Sequence, residues 1–450
     1  MKIFFRNIHL YLSLVSGLII AVVCLTGGVL VFEKELEQAW HPERYHVTSA
    51  NSPRLPLQQL TGAVAAYKPG AKITGVKVYA DPSRTVEFSL AGAPGGEKGD
   101  KKEGGRASQG PEARETPAAG NGVPRAEAGR REGGAEGKGE KGGKGGKGGE
   151  GGPGGPKVFV NPYTGAVTGE LNYRETIFFT MMALHRGMVG GPIGKLIVGI
   201  STVMFLFIIA TGLVLWWPAT RKALQQRLKV KWSGGWKRVN HDLHIVLGFY
   251  SALFLFVFAF TGLAWSFEWF NKGIYAVTNS PMQRPEPPAS TVPAAATVAA
   301  APVQAVQGLP VASAAPLSPD AALQLVKQQV PEAESYALQL PKDLAGSIRV
   351  ATLRRGASYE NATDELFLDQ YSGKVLSQQT YEQRSLGQRV RGMFKPVHTG
   401  AVFGWPSKII ALVVCLLGFT FPITGTILWL NRLRKANKKQ RKQQNTVAAM

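Results

Sequence analysis

The chain has 450 residues, a formal net charge of +22 and only two cysteines, Cys24 and Cys415. Two cysteines exclude a disulfide framework, a thiolate zinc site and an iron–sulfur cluster, and the sequence has no C-x-x-C-H motif for covalently attached c-type haem. Much of the positive charge falls in three short segments that alternate with long apolar runs. We therefore interpret the charge as a signal of membrane orientation and expect no nucleic-acid partner.

Four apolar segments, each long enough to cross a lipid bilayer as a helix, divide the chain. They cover residues 8–32, 193–217, 243–267 and 407–430, within membrane domains 1–32, 186–217, 243–267 and 399–430. We interpret the first as an uncleaved anchor, because it is too long for a signal-peptide core and lacks a small-residue cleavage site. Tryptophans near the span ends predict an interfacial aromatic belt: Trp216, Trp217, Trp265, Trp269, Trp405 and Trp429.

The basic segments predict which side of the membrane each connection occupies. A basic loop at 218–242 and a basic tail at 431–450 share one side with Lys2 and Arg6. Basic residues favour the cytoplasmic side, so we expect both termini in the cytoplasm. The long connections 33–185 and 268–398 then lie outside.

The first outer connection has the pattern of a small α+β domain. We predict a helix at 57–67, strands within 73–80 and 84–90, and a strand–turn–strand at 157–171. Residues 91–156 are rich in glycine, lysine and glutamate, and this composition predicts a disordered insertion.

The second outer connection repeats this pattern. An Ala/Pro/Val linker at 283–316 precedes a predicted helix at 319–329 and the alternating runs SIRVATL and DELFLDQYSGKVLS. The stretch FLDQYSGKV is similar to FVNPYTGAV of the first connection. We therefore expect two copies of one small α+β domain.

The spans are duplicated as well, in a register that needs no gaps. Counted from His9 and from His244, three features coincide: Ser16 with Ser251, Thr26-Gly27 with Thr261-Gly262, and Phe32-Glu33 with Phe267-Glu268. Counted from His185 and from His398, further pairs coincide: Gly187 with Gly400, Gly191 with Gly404, Lys195 with Lys408, Thr211-Gly212 with Thr424-Gly425, and Trp216 with Trp429. The fold class predicted is thus an α-helical membrane protein, a four-span bundle built by internal duplication, with two α+β outer domains.

Four histidines occupy duplicated positions at two depths. His9 and His244 open spans one and three on the inner side, whereas His185 and His398 precede spans two and four on the outer side. A pseudo-two-fold axis brings equivalent imidazoles face to face, which is the ligand arrangement of six-coordinate b-type haem. We predict two b-type haems, an inner one on His9 and His244 and an outer one on His185 and His398. Interfacial histidines in contact with water are the alternative.

The Thr-Gly pairs lie at the depth of the histidines of the other spans. Thr26-Gly27 and Thr261-Gly262 lie at the outer level, and Thr211-Gly212 and Thr424-Gly425 at the inner level. We interpret the glycines either as making room for a haem or as allowing close helix packing.

Other polar residues near these sites are weaker candidates. Lys195 and Lys408 either extend to the interface or pair with haem propionates or another anion, and Arg186 is a similar candidate. His241 corresponds to Arg6 in the first half, so we expect an interfacial or propionate-side residue. No Gly-x-Gly-x-x-Gly motif follows a strand, so the electron donor is expected to be a cytoplasmic reductase or a membrane quinol.

The layout resembles the PepSY-associated transmembrane family. The resemblance rests on the His9 and His244 span starts, the H-x-G and Thr-Gly spans, and the PYTGAV and QYSGKV turns. It implies PepSY-like periplasmic domains, b haem, the bacterial inner membrane, and reduction of a ferric siderophore in iron acquisition. Two alternatives stay open, namely a non-enzymatic scaffold or regulator that binds a periplasmic partner and an electron conduit to another periplasmic acceptor.

Overall fold

The computed structural model describes residues 1–49, 52–92, 155–293, 315–357 and 359–448. Within these residues, four helices are long and apolar enough to cross a membrane. They cover Lys2–Leu30, Met188–Trp216, Trp236–Ser266 and Trp405–Val447. Each coincides with one predicted span to within a few residues, except that the last helix continues into the basic tail. The prediction of a four-span membrane protein is confirmed.

The helices are numbered in chain order. They are α1 Lys2–Leu30, α2 Glu33–Trp40, α3 Pro42–Tyr45, α4 Leu57–Tyr67, α5 Ile177–His185, α6 Gly191–Trp216, α7 Arg221–Arg227, α8 Trp236–Asp242, α9 Gly248–Ser266, α10 Glu268–Val277, α11 Pro319–Gln329, α12 Leu386–His398 and α13 Trp405–Ala448. A π-helical segment, Leu243–Leu247, joins α8 to α9. The predicted helices at 57–67 and 319–329 are confirmed as α4 and α11.

The four long helices form a bundle with two diagonals. Helix α1 packs against α6 and α13, and α9 packs against the same two helices, so α1 faces α9 across the centre. Apolar side chains point outward, for example Leu18, which is 76% exposed, and Leu253, which is 68% exposed. Inside, the buried Ser16 and Ser251 donate to carbonyls of their own helices. An apolar exterior with internally satisfied polar groups suits a lipid environment.

The outer connections together form one sheet. The strands are β1 Ile73–Tyr79, β2 Val86–Leu90, β3 Lys157–Val160, β4 Val167–Leu171, β5 Ala333–Gln339, β6 Ile348–Arg354, β7 Thr363–Leu368 and β8 Val375–Gln379. Their order is β4-β3-β2-β1-β5-β6-β7-β8, and neighbouring strands are antiparallel. Strands β1–β4 come from the first connection and β5–β8 from the second.

The sequence predicts two copies of one small α+β domain, and the structure joins the two copies in one continuous sheet. Strand β1 pairs with its counterpart β5, from Gly75 opposite Gln339 to Tyr79 opposite Ser335. At Gly75 a Cβ atom would lie 2.8 Å from the Leu338 carbonyl oxygen, so glycine allows the strands to approach. Joining the copies through β1 and β5 removes one exposed edge from each half.

A single hydrophobic core spans both halves of the sheet. Helices α4 and α11 contact each other and contribute Leu60 and Val326 to the same core as Phe88 and Leu366. Both carboxylate oxygens of Asp320 accept hydrogen bonds from the first backbone amides of α4, at 2.6 and 2.8 Å. A residue of the second half thus caps a helix of the first half, so the two halves stabilise each other.

Two predicted irregular segments fall largely outside the described residues. Of the predicted insertion at 91–156, only the ends are described, and they meet at the β2–β3 hairpin, where Leu90 N donates to Pro156 O at 2.9 Å. Of the predicted linker at 283–316, residues 283–293 and 315–316 are described. There Ser290 is buried and donates to the Gly346 carbonyl at 2.8 Å, so this end of the linker is docked on the second half.

Candidate functional site: two paired histidines

The inner histidines come from diagonally opposed helices. His9 lies on α1, and His244 lies in the π-helical segment that leads into α9. Their ring centroids are 6.5 Å apart, and their ring planes make an angle of 86°. Single π-helical turns occur often at functional sites, because the inserted residue changes the direction of a side chain. The structure brings together the two residues predicted to form the inner pair.

The outer histidines end two short helices rather than starting the long ones. His185 is the last residue of α5, which packs on α1, and His398 is the last residue of α12, which packs on α9. Their ring centroids are 5.9 Å apart, with an angle of 70° between the ring planes. The predicted outer residues therefore also face each other.

Each of the four imidazoles contacts the threonine of one Thr-Gly pair through its Nδ1 atom. The contacts are His9 with Thr211 at 3.1 Å, His244 with Thr424 at 2.8 Å, His185 with Thr26 at 3.3 Å and His398 with Thr261 at 3.0 Å. In three cases Nδ1 also contacts the carbonyl three residues before that threonine, namely Ile208, Val23 or Phe258. One contact pattern thus occurs in both halves and at both depths.

This pattern assigns the protonated nitrogen of three of the four imidazoles. Each threonine hydroxyl donates to a carbonyl of its own helix, as Thr26 does to Val22 at 2.7 Å and Thr261 to Val257 at 2.7 Å. A backbone carbonyl can only accept, so Nδ1 carries the hydrogen in the three histidines that contact one. His244 makes the same threonine contact without a carbonyl. In the other three, Nε2 is then the nitrogen with a free lone pair. Metal-binding histidines are oriented in the same way by a hydrogen bond from the other ring nitrogen.

The glycine of each Thr-Gly pair lies against the same imidazole. A Cβ atom on Gly27 would lie 3.0 Å from Cε1 of His185, and one on Gly212 would lie 3.3 Å from Cε1 of His9. The corresponding distances are 3.4 Å from Gly262 to His398 and 3.2 Å from Gly425 to His244. From the sequence, we interpreted these glycines either as making room for a haem or as allowing close helix packing. The structure shows that they make room for the histidine rings.

The two histidine pairs lie at different depths in the bundle. On α1, Val23, which contacts His185, follows His9 by 14 residues, and on α9, Phe258, which contacts His398, follows His244 by 14 residues. Fourteen residues of α-helix rise about 21 Å. This separation along the helices is about two thirds of the thickness of a hydrocarbon layer, which is roughly 30 Å.

The arrangement fits a metal that brings most of its own ligands. Among the described residues, no group of three or more histidine, cysteine, aspartate or glutamate side chains could hold a metal ion. Two imidazoles bound at about 2 Å on opposite sides of one metal have centroids roughly 6 Å apart. The observed 6.5 and 5.9 Å agree with that separation. The residues present therefore fit a porphyrin iron with two axial histidines.

His241 has different surroundings from His244. Its side chain is 48% exposed, and its Nδ1 lies 3.2 Å from Oδ1 of the buried Asp242. Asp242 also accepts from Arg238 Nε at 2.8 Å and from the backbone of Lys231 at 3.2 Å. His241 thus belongs to a polar group at the end of the bundle, and the inner pair uses His244.

The two duplicated lysines differ from each other. Lys408 forms an ion pair with Glu35, in which the side chains are 12% and 27% exposed, and its ammonium lies 5.9 Å from the centroid of Phe32. Lys195 is exposed on α6. Lys408 therefore has a protein carboxylate as its partner, where the sequence suggested a haem propionate or the interface.

Replacing Lys408 with methionine is expected to lower the free energy of unfolding by about 1–3 kcal/mol, because the half-buried Glu35 carboxylate loses its cation. The double variant Lys408→Met with Glu35→Gln should lose less, since no charge is left without a partner. Thermal unfolding of the detergent-solubilised protein measures both. A double variant that is less stable than the single one would contradict this account.

Charged residues follow the outer histidine His185 and the outer ends of α1 and α9 in the sequence. Arg186 follows His185 directly, and its side chain makes no hydrogen bond or ion pair within the described residues. Burial raises the pKa of Glu33, while a hydrogen bond from Tyr173 and the charge of Lys395 oppose that shift. Its counterpart Glu268 is 72% exposed and pairs with Lys272 instead.

The sequence did not identify the residues that cover the outer pair in the second half. Trp265, predicted to lie in the interfacial belt, has its ring centroid 5.3 Å from that of His398. The guanidinium of Arg391 lies 5.1 Å from the centroid of Trp265. Trp216 likewise turns inward and stacks on Phe249 at 3.7 Å, which corrects its placement in the belt. The position of Arg391, seven residues before His398 on α12, was the available signal for its proximity.

Together these features define a multi-pass membrane protein whose bundle holds two pairs of facing histidines and whose outer connections share one sheet. The chain belongs to the family described as the PepSY-associated TM region, whose model matches residues 6–432. This confirms the resemblance seen in the sequence. The chain is also similar to "Uncharacterized protein PA4219" of Pseudomonas aeruginosa, with 25% identity over 276 residues. That match covers 57% of this chain and 64% of the relative, which is less than two thirds of its length.

Proposed function

We propose that this protein carries electrons across the bacterial inner membrane through two b-type haems and reduces a ferric siderophore on the periplasmic side. His9 and His244 would hold the inner haem, and His185 and His398 the outer haem. The observation that carries the proposal is the fourfold contact pattern, in which every imidazole uses Nδ1 to contact a threonine and leaves Nε2 for a metal. Bound haem would supply one-electron chemistry, and the chain supplies position and surroundings.

The depths of the two pairs support transfer across the membrane rather than within one face. The inner pair is close to the basic loop at 218–242 and the basic N-terminus, which favour the cytoplasm. The outer pair is on the side of the sheet, which would then be periplasmic. A cytoplasmic reductase or a membrane quinol would reduce the inner haem.

The acceptor is proposed from the family resemblance and from chemistry. Siderophores with hard oxygen ligands hold ferrous iron far less well than ferric iron. One electron delivered to the ferric chelate therefore releases the metal, and no covalent step is needed. The cations around the outer pair, including Arg186, would suit an acceptor with anionic groups.

A second candidate function is a scaffold or regulator that binds a periplasmic protein through PepSY-like outer domains. One observation favours it, namely that the sheet ends in β4 and β8, whose outer edges pair with no other strand in the described part of the chain. Unpaired strand edges can accept an added strand from a partner. An electron conduit to another periplasmic acceptor is the third candidate.

Reoxidation kinetics distinguish these functions. The purified protein is reduced with a small excess of dithionite and mixed in a stopped-flow instrument with ferric siderophores of several classes. Rapid return of the oxidised haem spectrum, with ferrous iron trapped by a chelator, is the expected result. The gallium forms of the same siderophores are the control, because gallium is not reduced under these conditions. Haem that no ferric chelate reoxidises would overturn the siderophore assignment, and protein without haem would overturn electron transfer itself.

A further inference from the structure

Arg391 in the second half is connected to the outer histidine pair through the ring of Trp265. Arg391 lies on α12, seven residues before His398, so the two side chains share a helix face. Trp265 at the end of α9 lies between them, with its ring 5.3 Å from the His398 ring and 5.1 Å from the Arg391 guanidinium. The indole therefore connects the proposed ligand to a permanent positive charge.

The guanidinium is held in place from the other side by Asn271. Arg391 Nε donates to Asn271 Oδ1 at 2.8 Å, and Asn271 Nδ2 donates to the carbonyls of Ala264 and Phe267 at 2.7 and 3.2 Å. Ala264 lies in the last turn of α9 and Phe267 is the residue after it, so one amide side chain satisfies carbonyls at this helix end and orients the arginine. An arginine fixed in this way loses little further freedom when it binds an anion.

The first half has none of these three residues. In the duplicated register, Leu30 corresponds to Trp265, Leu36 to Asn271 and Phe178 to Arg391. Phe178 is buried and stacks on Trp40 at 5.5 Å. The sequence repeat is therefore broken as a group, and the second half alone provides a cation on this helix face. Because all three residues differ together between the halves, we infer that Trp265, Asn271 and Arg391 act as one group, which the second half alone provides to the outer pair.

We infer that Arg391 is a positioning residue that binds a carboxylate of the outer haem, one of its propionates. The inference rests on the proposed function. A guanidinium presents two parallel N–H groups that match the two oxygens of a carboxylate. A haem held by His185 and His398 would bring two carboxylates of this kind.

The pairing has a consequence for the direction of electron flow. A haem that gains an electron becomes more negative by one charge, so a fixed cation nearby stabilises its reduced form. Neutralising the negative charge of a propionate also stabilises the reduced haem and so raises its midpoint potential. Arg391 should therefore raise the midpoint potential of the outer haem, which makes transfer from the inner to the outer haem more favourable.

The test is a potentiometric titration of the full-length protein in detergent, without any siderophore. In the variant Arg391→Gln, the reduced-to-oxidised ratio of the outer haem should fall about tenfold at a given potential, which is a shift of 59 mV for one electron. Arg391→Lys keeps the positive charge but lacks the two parallel N–H groups, so it should shift the midpoint potential less than Arg391→Gln does. Arg389→Gln removes a charge from the same helix two residues earlier, about 200° around the helix axis from Arg391, and is the matched control. Selective loss of the outer haem from Arg391→Gln, with retention in the control, would equally support the inference.

The contrary outcomes are separate from failure of the proposed function. Wild-type protein without two haems would overturn the proposed function. With two haems present, an outer potential that does not change in Arg391→Gln overturns this inference alone. An unchanged potential together with slower reoxidation by carboxylate-bearing ferric chelates, but not by neutral ones, would assign Arg391 to the substrate and overturn the propionate assignment.

Discussion

Replacing His185 or His398 with alanine should remove one haem and leave the other, so that the haem content falls from about two to about one per chain. Replacing His9 or His244 should have the same effect on the other haem. The reason is that each pair would supply both ligands of one proposed haem, and the pairs lie about 21 Å apart along the helices. The pyridine haemochrome assay measures the content, and difference spectra of the four variants show two distinct spectral components.

Histidines outside the pairs provide matched controls for this experiment. His241→Ala changes a half-exposed residue three positions before His244, and His41→Ala changes one in the outer connection. Both variants should keep about two haems per chain. A variant of His185 that retains both haems, or a His241 variant that loses the inner one, would contradict the assignment of ligands.

Replacing Gly27 with valine should cause selective loss of the outer haem without any change to a ligand. A Cβ atom at this position would lie 3.0 Å from Cε1 and 3.3 Å from Nδ1 of His185, so the ring must move away from α1. That movement breaks the contacts with Val23 and Thr26 that orient the ring. Loss of such orienting contacts typically costs about 10–100-fold in metal affinity. Haem content after extended dilution in detergent is the measurement.

The same substitution at two other glycines separates this effect from general damage to the bundle. Gly425→Val should loosen the inner haem instead, because its Cβ would lie 3.2 Å from Cε1 of His244. Gly248→Val, at the start of α9, meets no atom within 4 Å and should leave both haems in place. Equal loss of both haems from all three variants would show that the glycines serve only helix packing.

The broad architecture was accessible from the sequence because it depends on local patterns. Apolar runs of membrane length, alternation in short strands and turn residues each act over a few neighbouring residues, and they located the spans, α4, α11 and most strands. Strand β5 was not predicted, although its counterpart β1 was. Its pairing with β1 joins residues more than 250 positions apart, and no local pattern contains that information.

The sites were accessible for a different reason, which is the duplication. A single histidine near a span end does not predict a site. The duplicated positions counted from His9 and His244 identified these two residues, and the structure places their ring centroids 6.5 Å apart. Their role as haem ligands stays a prediction. The duplication could not identify site residues that occur in one half only. Trp265, Asn271 and Arg391 have different residues at the equivalent positions of the first half, so no repeated pattern marked them. The duplication also placed the Thr-Gly pairs at the right depth without revealing that they contact imidazole.

The contacts around the histidines explain why Thr and Gly occur together. The threonine hydroxyl is satisfied by its own helix and accepts from Nδ1, while the neighbouring glycine lets the ring approach the helix backbone. A side chain on the glycine would push the ring beyond hydrogen-bonding distance. The dipeptide is thus a compact device that fixes the position of an imidazole, and this chain uses it four times.

Binding of two haems by the two histidine pairs is tested most directly by the haem content and spectrum of the wild-type protein purified without added haem. We expect about two b-type haems per chain, both six-coordinate and low-spin, with a reducible Soret band and α-band. A folded protein that is colourless, or that stays colourless after incubation with haem, would contradict it.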